Sequence, residues 1–253
     1  MSLLQGSCLA VLLLASSAVW AAPPSQQYQQ LRSQATLLAV NALIYYDAQP
    51  DARPDRRHLA ALQQAQQRLD ALALELNLPS RPLKKELGDS LASLDTWLDK
   101  LQALSREDAP RYPQLLIGLL DSRARLDEQA AAAYQQLADE LPPATRLLNR
   151  QSLDIASLLL HAQARSARVI GDHSLAFAEA EFVARDQAIK QGFDELSRLL
   201  PEQAEQLHKQ RLAYRFVRKR LLDRDPGQVI GGLERYLAGI VVALDRLADA
   251  NPG

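Results

Sequence analysis

Residues 83–101 read LKKELGDSLASLDTWLDKL. Leu87, Leu91, Leu94, Leu98 and Leu101 recur at three- and four-residue spacing, with Lys, Asp, Ser and Thr between them. That is the stripe of an amphipathic α-helix with one face turned to a core. The same stripe recurs on both sides. Leu59, Leu62, Leu69, Leu72 and Leu76 carry it upstream. Val229, Leu233, Leu237, Ile240, Leu244 and Leu247 carry it near the C terminus. Strands would show period-two alternation, and none is found. Ala, Leu, Gln, Arg and Glu, all strong helix formers, dominate the chain.

Proline marks the breaks, because inside a helix it removes a hydrogen bond and clashes with the preceding turn. The prolines fall at 23–24, 50, 54, 79, 82, 110, 113, 142–143, 201, 226 and 252. Together with Gly171-Asp172 they divide the chain into eight helical segments: about 25–48, 55–77, 83–105, 113–140, 144–170, 174–199, 202–223 and 227–249. Asp225-Pro226 reads as a helix start, an Asp cap followed by Pro at the first helical position. The predicted fold is all-α. Short connections predict antiparallel neighbours.

Pro142-Pro143 lies near the middle and leaves four segments on each side. The halves share three matches in chain order. Leu31-Arg32-Ser33-Gln34 aligns with Leu148-Asn149-Arg150-Gln151, Gln67–Leu72 with Gln191–Leu196, and Gln114–Leu119 with Gln228–Leu233. A tandem pair of four-helix bundles is therefore expected, residues 22–142 and 143–253. Segments 113–140 and 144–170 could alternatively merge into one kinked rod, stacking the bundles end to end.

Residues 1–21, MSLLQGSCLAVLLLASSAVWA, read as a secretory signal cut after Ala21, with small residues at the cleavage site. The apolar stretch is shorter than the roughly 17–25 residues of a membrane-spanning helix. No later stretch reaches that length; Leu237–Leu244 comes nearest. The expected location is the periplasm. Cys8 and Met1, the sole Cys and Met, both lie in the segment to be removed. A sulfur-free mature chain excludes disulfides, thiolate metal sites, thiol nucleophiles and thioether-ligated haem.

The 253 residues carry 29 Lys+Arg against 30 Asp+Glu, a net charge of −1, which argues against nucleic acid as a partner. The balance hides an asymmetry. Residues 22–142 hold 13 basic and 16 acidic residues, and residues 143–253 hold 16 and 14. An anionic ligand would favour the second half. There, Arg150, Arg165 and Arg168 share with His161 an arc of roughly 60° on the fifth segment. Arg211, Arg215 and Arg218 share a similar arc on the seventh. Guanidinium forks bind carboxylates and other anions bidentately, so these six arginines are the expected ligand contacts. The alternative is a pair of solvated faces laced with Asp and Glu.

Catalytic and metal signatures are weak. Bundle metal sites use two Glu-x-x-His motifs, and here only Glu205-Gln206-Leu207-His208 occurs. No Gly-x-Ser-x-Gly elbow and no phosphate-cradling loop is found. Gly231-Gly232 reads as a close-packing point inside a helix. No enzyme activity, cofactor or metal is expected.

The run Leu148-Asn149-Arg150-Gln151-Ser152-Leu153, with Arg218-Lys219-Arg220-Leu221 and Leu244-Asp245-Arg246-Leu247, resembles the periplasmic four-helix sensor module of type IV pilus chemotaxis transducers (PilJ-type) and nitrate/nitrite sensors. In those modules an Asn precedes a Gly-Arg-Gln-Arg-Met run. Here Asn149 and Arg150-Gln151 resemble it, Leu153 stands for the Met, and the Gly and second Arg are absent. The resemblance implies tandem sensor modules that bind a small ligand or a receptor ectodomain at the inner membrane, without catalysis. A structural partner of a cell-envelope complex is the competing expectation.

Overall fold

The computed structural model describes residues 23–48, 56–76, 81–167, 179–222 and 232–251. Eight α-helices and no strand occur among them: α1 Pro24–Tyr45, α2 Arg56–Glu75, α3 Arg81–Gln102, α4 Tyr112–Leu137, α5 Pro143–Ser166, α6 Glu179–Leu199, α7 Ala204–Leu222 and α8 Leu233–Asp249. Short 3₁₀ turns, Arg106–Arg111, Ala138–Glu140 and Pro201–Gln203, lead into α4, α5 and α7. The protein is all-α, as its leucine spacing predicts.

Proline starts helices here as physical chemistry requires. Pro24 and Pro143 lie at the first turns of α1 and α5, where the missing N–H costs nothing. The predicted signal segment, the break at Gly171-Asp172 and the start at Asp225-Pro226 lie outside the described residues. Gly232 differs from its predicted place inside a helix. It caps the N terminus of α8 with φ of 93°, a left-handed backbone that suits Gly. The Glu234 side chain accepts its N–H at 2.9 Å.

The predicted stripes bury as expected. Leu62 and Leu69 of α2, Leu87, Leu94, Leu98 and Leu101 of α3, and Leu237, Ile240 and Leu244 of α8 are all buried. Burying a Leu side chain fully is worth about 1.5–3 kcal/mol, and this term holds the peripheral helices in place. Gly118 lets α4 approach α3: a Cβ there would lie 2.5 Å from the Trp97 ring.

The centre is α1. It packs against α2, α4, α5 and α8, while α5 in turn packs against α6 and α8. Leu31, Leu38, Ala39 and Ala42 of α1 have no exposed surface. Its polar residues are buried as well, among them Gln26, Gln29, Ser33 and Thr36. Buried apolar side chains from both halves of the sequence form one cluster around it.

The kinked-rod alternative does not hold. After α4 the backbone turns through Ala138–Glu140 and extends at Leu141 (ψ 145°) and Pro142 (ψ 148°) before α5 begins. The proline pair thus separates two helices instead of bending one. The halves meet side by side along α1 and α5. Gln29 Nε2 donates to the Asn149 carbonyl at 2.7 Å, and Ser33 and Ser152 both donate to Asp245 of α8.

Candidate functional site

Five of the six arginines singled out from the sequence lie among the described residues, and each has its own setting. The two α7 residues Arg211 and Arg218 face α6. Arg211 pairs with Asp194 at 2.7 Å. Arg218 grips buried Asp186 bidentately, through Nε at 2.7 Å and Nη2 at 2.5 Å. The Tyr214 hydroxyl donates to the same carboxylate at 2.9 Å, and burial beside that charge raises the Tyr214 pKa. Arg165 lies over the Phe182 ring and donates to the Leu221 carbonyl. Arg215 is exposed, and Arg168 lies outside the described residues. Charge pairing between α6 and α7 therefore employs two of these guanidinium groups.

The Asp186 cluster is a packing device with a measurable consequence. Removing Arg218 leaves a carboxylate buried without its cation, which costs several kcal/mol in a closed interior. Arg218 is itself about one-third exposed, and solvent screening reduces the effect. Arg218→Ala should therefore lower unfolding free energy by about 2 kcal/mol in denaturant titration. Arg215→Ala, on an exposed residue of the same helix, should change it by less than about 0.5 kcal/mol.

Arg150 lines a cleft. This hollow of about 640 Å³ lies between α1, α4, α5 and α6 and is bordered also by Gln29, Arg32, Tyr134, Arg146 and Glu195. Arg32 is held by Asp127 at 2.8 Å and Arg146 by Asp139 at 3.4 Å. Asn149 and Gln151, which flank Arg150, are buried. Asn149 accepts from Gln29 through its carbonyl and reaches the Tyr134 hydroxyl with Nδ2. A Cβ at Gly192 would lie 1.8 Å from Gln151 Oε1, so Gln151 sits directly over that α6 glycine. These two motif residues are taken up in seating α5 on its neighbours.

A second cleft carries the more distinctive charge pattern. It lies over α1 between α2 and α8, about 500 Å³ in volume, with Leu37, Ala61, Ala65, Ala238 and Val242 among its apolar lining. Arg57, His58 and Arg68 border it from α2, and Arg235 and Arg246 from α8. Glu234 is its one acidic lining residue, 3.8 Å from His58 Nε2. The side chains of Arg68, Arg235 and Arg246 make no hydrogen bond or ion pair with the described residues.

Sequence reasoning missed this set, although a signal exists. Arg57 and Arg68 are eleven residues apart, as are Arg235 and Arg246. Eleven residues return a helix to within about 20° of the same face. Each pair thus marks one edge of a trough. That α2 and α8 flank one central helix is tertiary information, which no spacing discloses.

The cleft continues into a smaller hollow of about 280 Å³ that shares Gln34, Arg68, Val242 and Arg246 with it and adds Glu75, Asp245 and Asp249. Asp245 is buried, and desolvation pushes its pKa up to about 6. It accepts from Ser33 Oγ at 2.8 Å and Ser152 Oγ at 2.5 Å. Asp249 accepts from Gln30 Nε2 through both oxygens, at 2.6 and 2.7 Å, and burial raises its pKa as well.

Among the described residues no group of three or more His, Cys, Asp or Glu is placed to hold a metal, and no helix is long and apolar enough to cross a membrane. Glu205 and His208 both lie exposed on α7. No family model, curated protein or solved structure matches the chain.

Proposed function

We propose that the chain is a non-catalytic periplasmic helical module that binds a small anionic ligand in the cleft over α1. One observation carries this: Arg68, Arg235 and Arg246 border a concave, partly apolar surface and have no carboxylate partner among the described residues. Arg211 and Arg218 of α7, by contrast, are neutralised by Asp194 and Asp186. Unpaired guanidinium groups around an apolar floor suit a ligand carrying a carboxylate or similar anion. The resemblance of Leu148–Leu153 to PilJ-type sensor modules agrees with a role in ligand recognition. On that basis the tandem-module organisation and the signal peptide at residues 1–21 belong to the same proposal.

The test is a thermal-shift series with sulfate, succinate and citrate at low ionic strength. A ligand present at one hundred times its Kd stabilises by about 2.7 kcal/mol, a readable rise in Tm. At least one of the three anions should produce such a rise, and the double variant Arg68→Gln/Arg246→Gln should abolish it. No rise with any of the three would overturn the proposal.

A partner-binding role is favoured by a different observation. Leu212 and Phe216 of α7 and Tyr236 of α8 are exposed, Phe216 at 72%, and the Phe216 and Tyr236 rings lie 5.2 Å apart. Such a cluster, with Arg215, Lys219 and Arg220 exposed on the same helix, is the kind of surface a receptor ectodomain or envelope protein would cover.

A further inference from the structure

We infer that the cleft over α1 takes a short peptide with free termini, its carboxylate held by Arg68, Arg235 and Arg246 and its ammonium group by Asp249 and Glu75. The assignment rests on the cleft being the ligand site proposed above and names the ligand class it would take.

The two hollows form one trough, since Gln34, Arg68, Val242 and Arg246 line both. Charge is partly sorted along it. Arg57, Glu234 and Arg235 border only the larger hollow, Glu75, Asp245 and Asp249 only the smaller, and Arg68 and Arg246 border both. These opposite charges do not neutralise one another. Arg68, Arg235 and Arg246 make no ion pair with the described residues, although two of them line the hollow that holds the carboxylates. The hydrogen bonds to Asp249 and Asp245 come from neutral groups, Gln30 for the first and Ser33 and Ser152 for the second. A monovalent anion would satisfy one end only. A dipolar ligand satisfies both.

The middle of the trough points to amide groups on that ligand. Gln34 is buried, at 7% exposure, and its Oε1 has no hydrogen-bond partner among the described residues. A buried acceptor left open is destabilising until a donor reaches it. Asn41 and Gln64 add two more side-chain amides to the lining. Side-chain amides pair with peptide N–H and C=O groups in both directions. Leu37, Ala61, Ala65 and Ala238 leave room for small apolar side chains. The combined volume lies within the range of pockets that enclose ligands of a few residues.

Isothermal titration calorimetry at low ionic strength tests this with three probes: tri-alanine, N-acetyl-tri-alanine and tri-alanine amide. Tri-alanine should bind, and blocking either terminus should weaken binding at least tenfold. Asp249→Asn should weaken tri-alanine about tenfold and leave the N-acetyl peptide unchanged. N-acetyl-tri-alanine binding as tightly as tri-alanine would overturn the inference and leave a simple anion site. Failure of all three peptides, with succinate or citrate still bound, would also overturn the inference alone. Failure of peptides and anions together would overturn both the inference and the proposed function.

Discussion

Leu38→Ala should destabilise the whole molecule by about 2–5 kcal/mol, the range for emptying a fully buried Leu site. Leu38 has no exposed surface and sits in the one helix that touches α2, α4, α5 and α8. For a chain of this size each kcal/mol moves Tm by roughly 2–4 °C, so the drop should reach about 4–20 °C. The pattern matters as much as the size. In a form starting at Ala22, Trp97 of α3 is the sole tryptophan and reports on the first half, while helical circular dichroism reports on both. Because one core runs through both halves, the two signals should shift together and keep a common midpoint. A fluorescence midpoint that moves while much of the circular dichroism transition stays in place would mean that the halves unfold separately.

The second large effect is a pH dependence set by Asp245. Its carboxyl is fully buried, and its pKa of about 6 stands above the ordinary 3.8 because desolvation outweighs the hydroxyl donors Ser33 and Ser152. Between about pH 4 and pH 6 the folded protein keeps this proton and the unfolded chain releases it. Stability then falls as pH rises through that window. Two pKa units correspond to about 3 kcal/mol, fully lost above pH 6. Burial raises the pKa of Asp249, Asp154 and Asp95 too, so they act in the same direction. The variant Asp245→Asn separates its share. An amide accepts from one serine and donates to the other, without a charge to desolvate. At pH 7.5 the variant should be more stable than the wild type by about 1–3 kcal/mol. At pH 4 the two should nearly agree. A variant less stable than the wild type at pH 7.5 would show that the ionised carboxylate is an asset there.

The helices themselves were legible because each peripheral one carries a single apolar stripe. The α3 series Leu87–Leu101 and the α8 series Leu237–Leu247 go to the core as their spacing demands. The central helix was not legible in that way. Gln26, Gln29, Ser33 and Gln34 look like a solvated face, yet all four are buried. Their surroundings come from α5 and α8, more than a hundred residues downstream, and periodicity within α1 carries no trace of them. The partners of the α7 arginines were hidden for a related reason. A stripe of Arg211 and Arg218 reads alike whether it meets a ligand or Asp194 and Asp186 of α6, and the antiparallel docking of α6 on α7 decides the matter. Arg57, Arg68, Arg235 and Arg246 went unnoticed because each pair becomes meaningful only when α1 brings its two helices together.

The most direct test is nuclear magnetic resonance on isotope-labelled protein titrated with citrate at low ionic strength. Backbone amide shifts should concentrate at Asn41 of α1, Gln64 and Arg68 of α2, and Ala238 and Val242 of α8, and should saturate. Saturating shifts centred instead on Arg211 and Arg215 of α7, or shifts scattered over all surface arginines without saturation, would contradict a ligand site over α1.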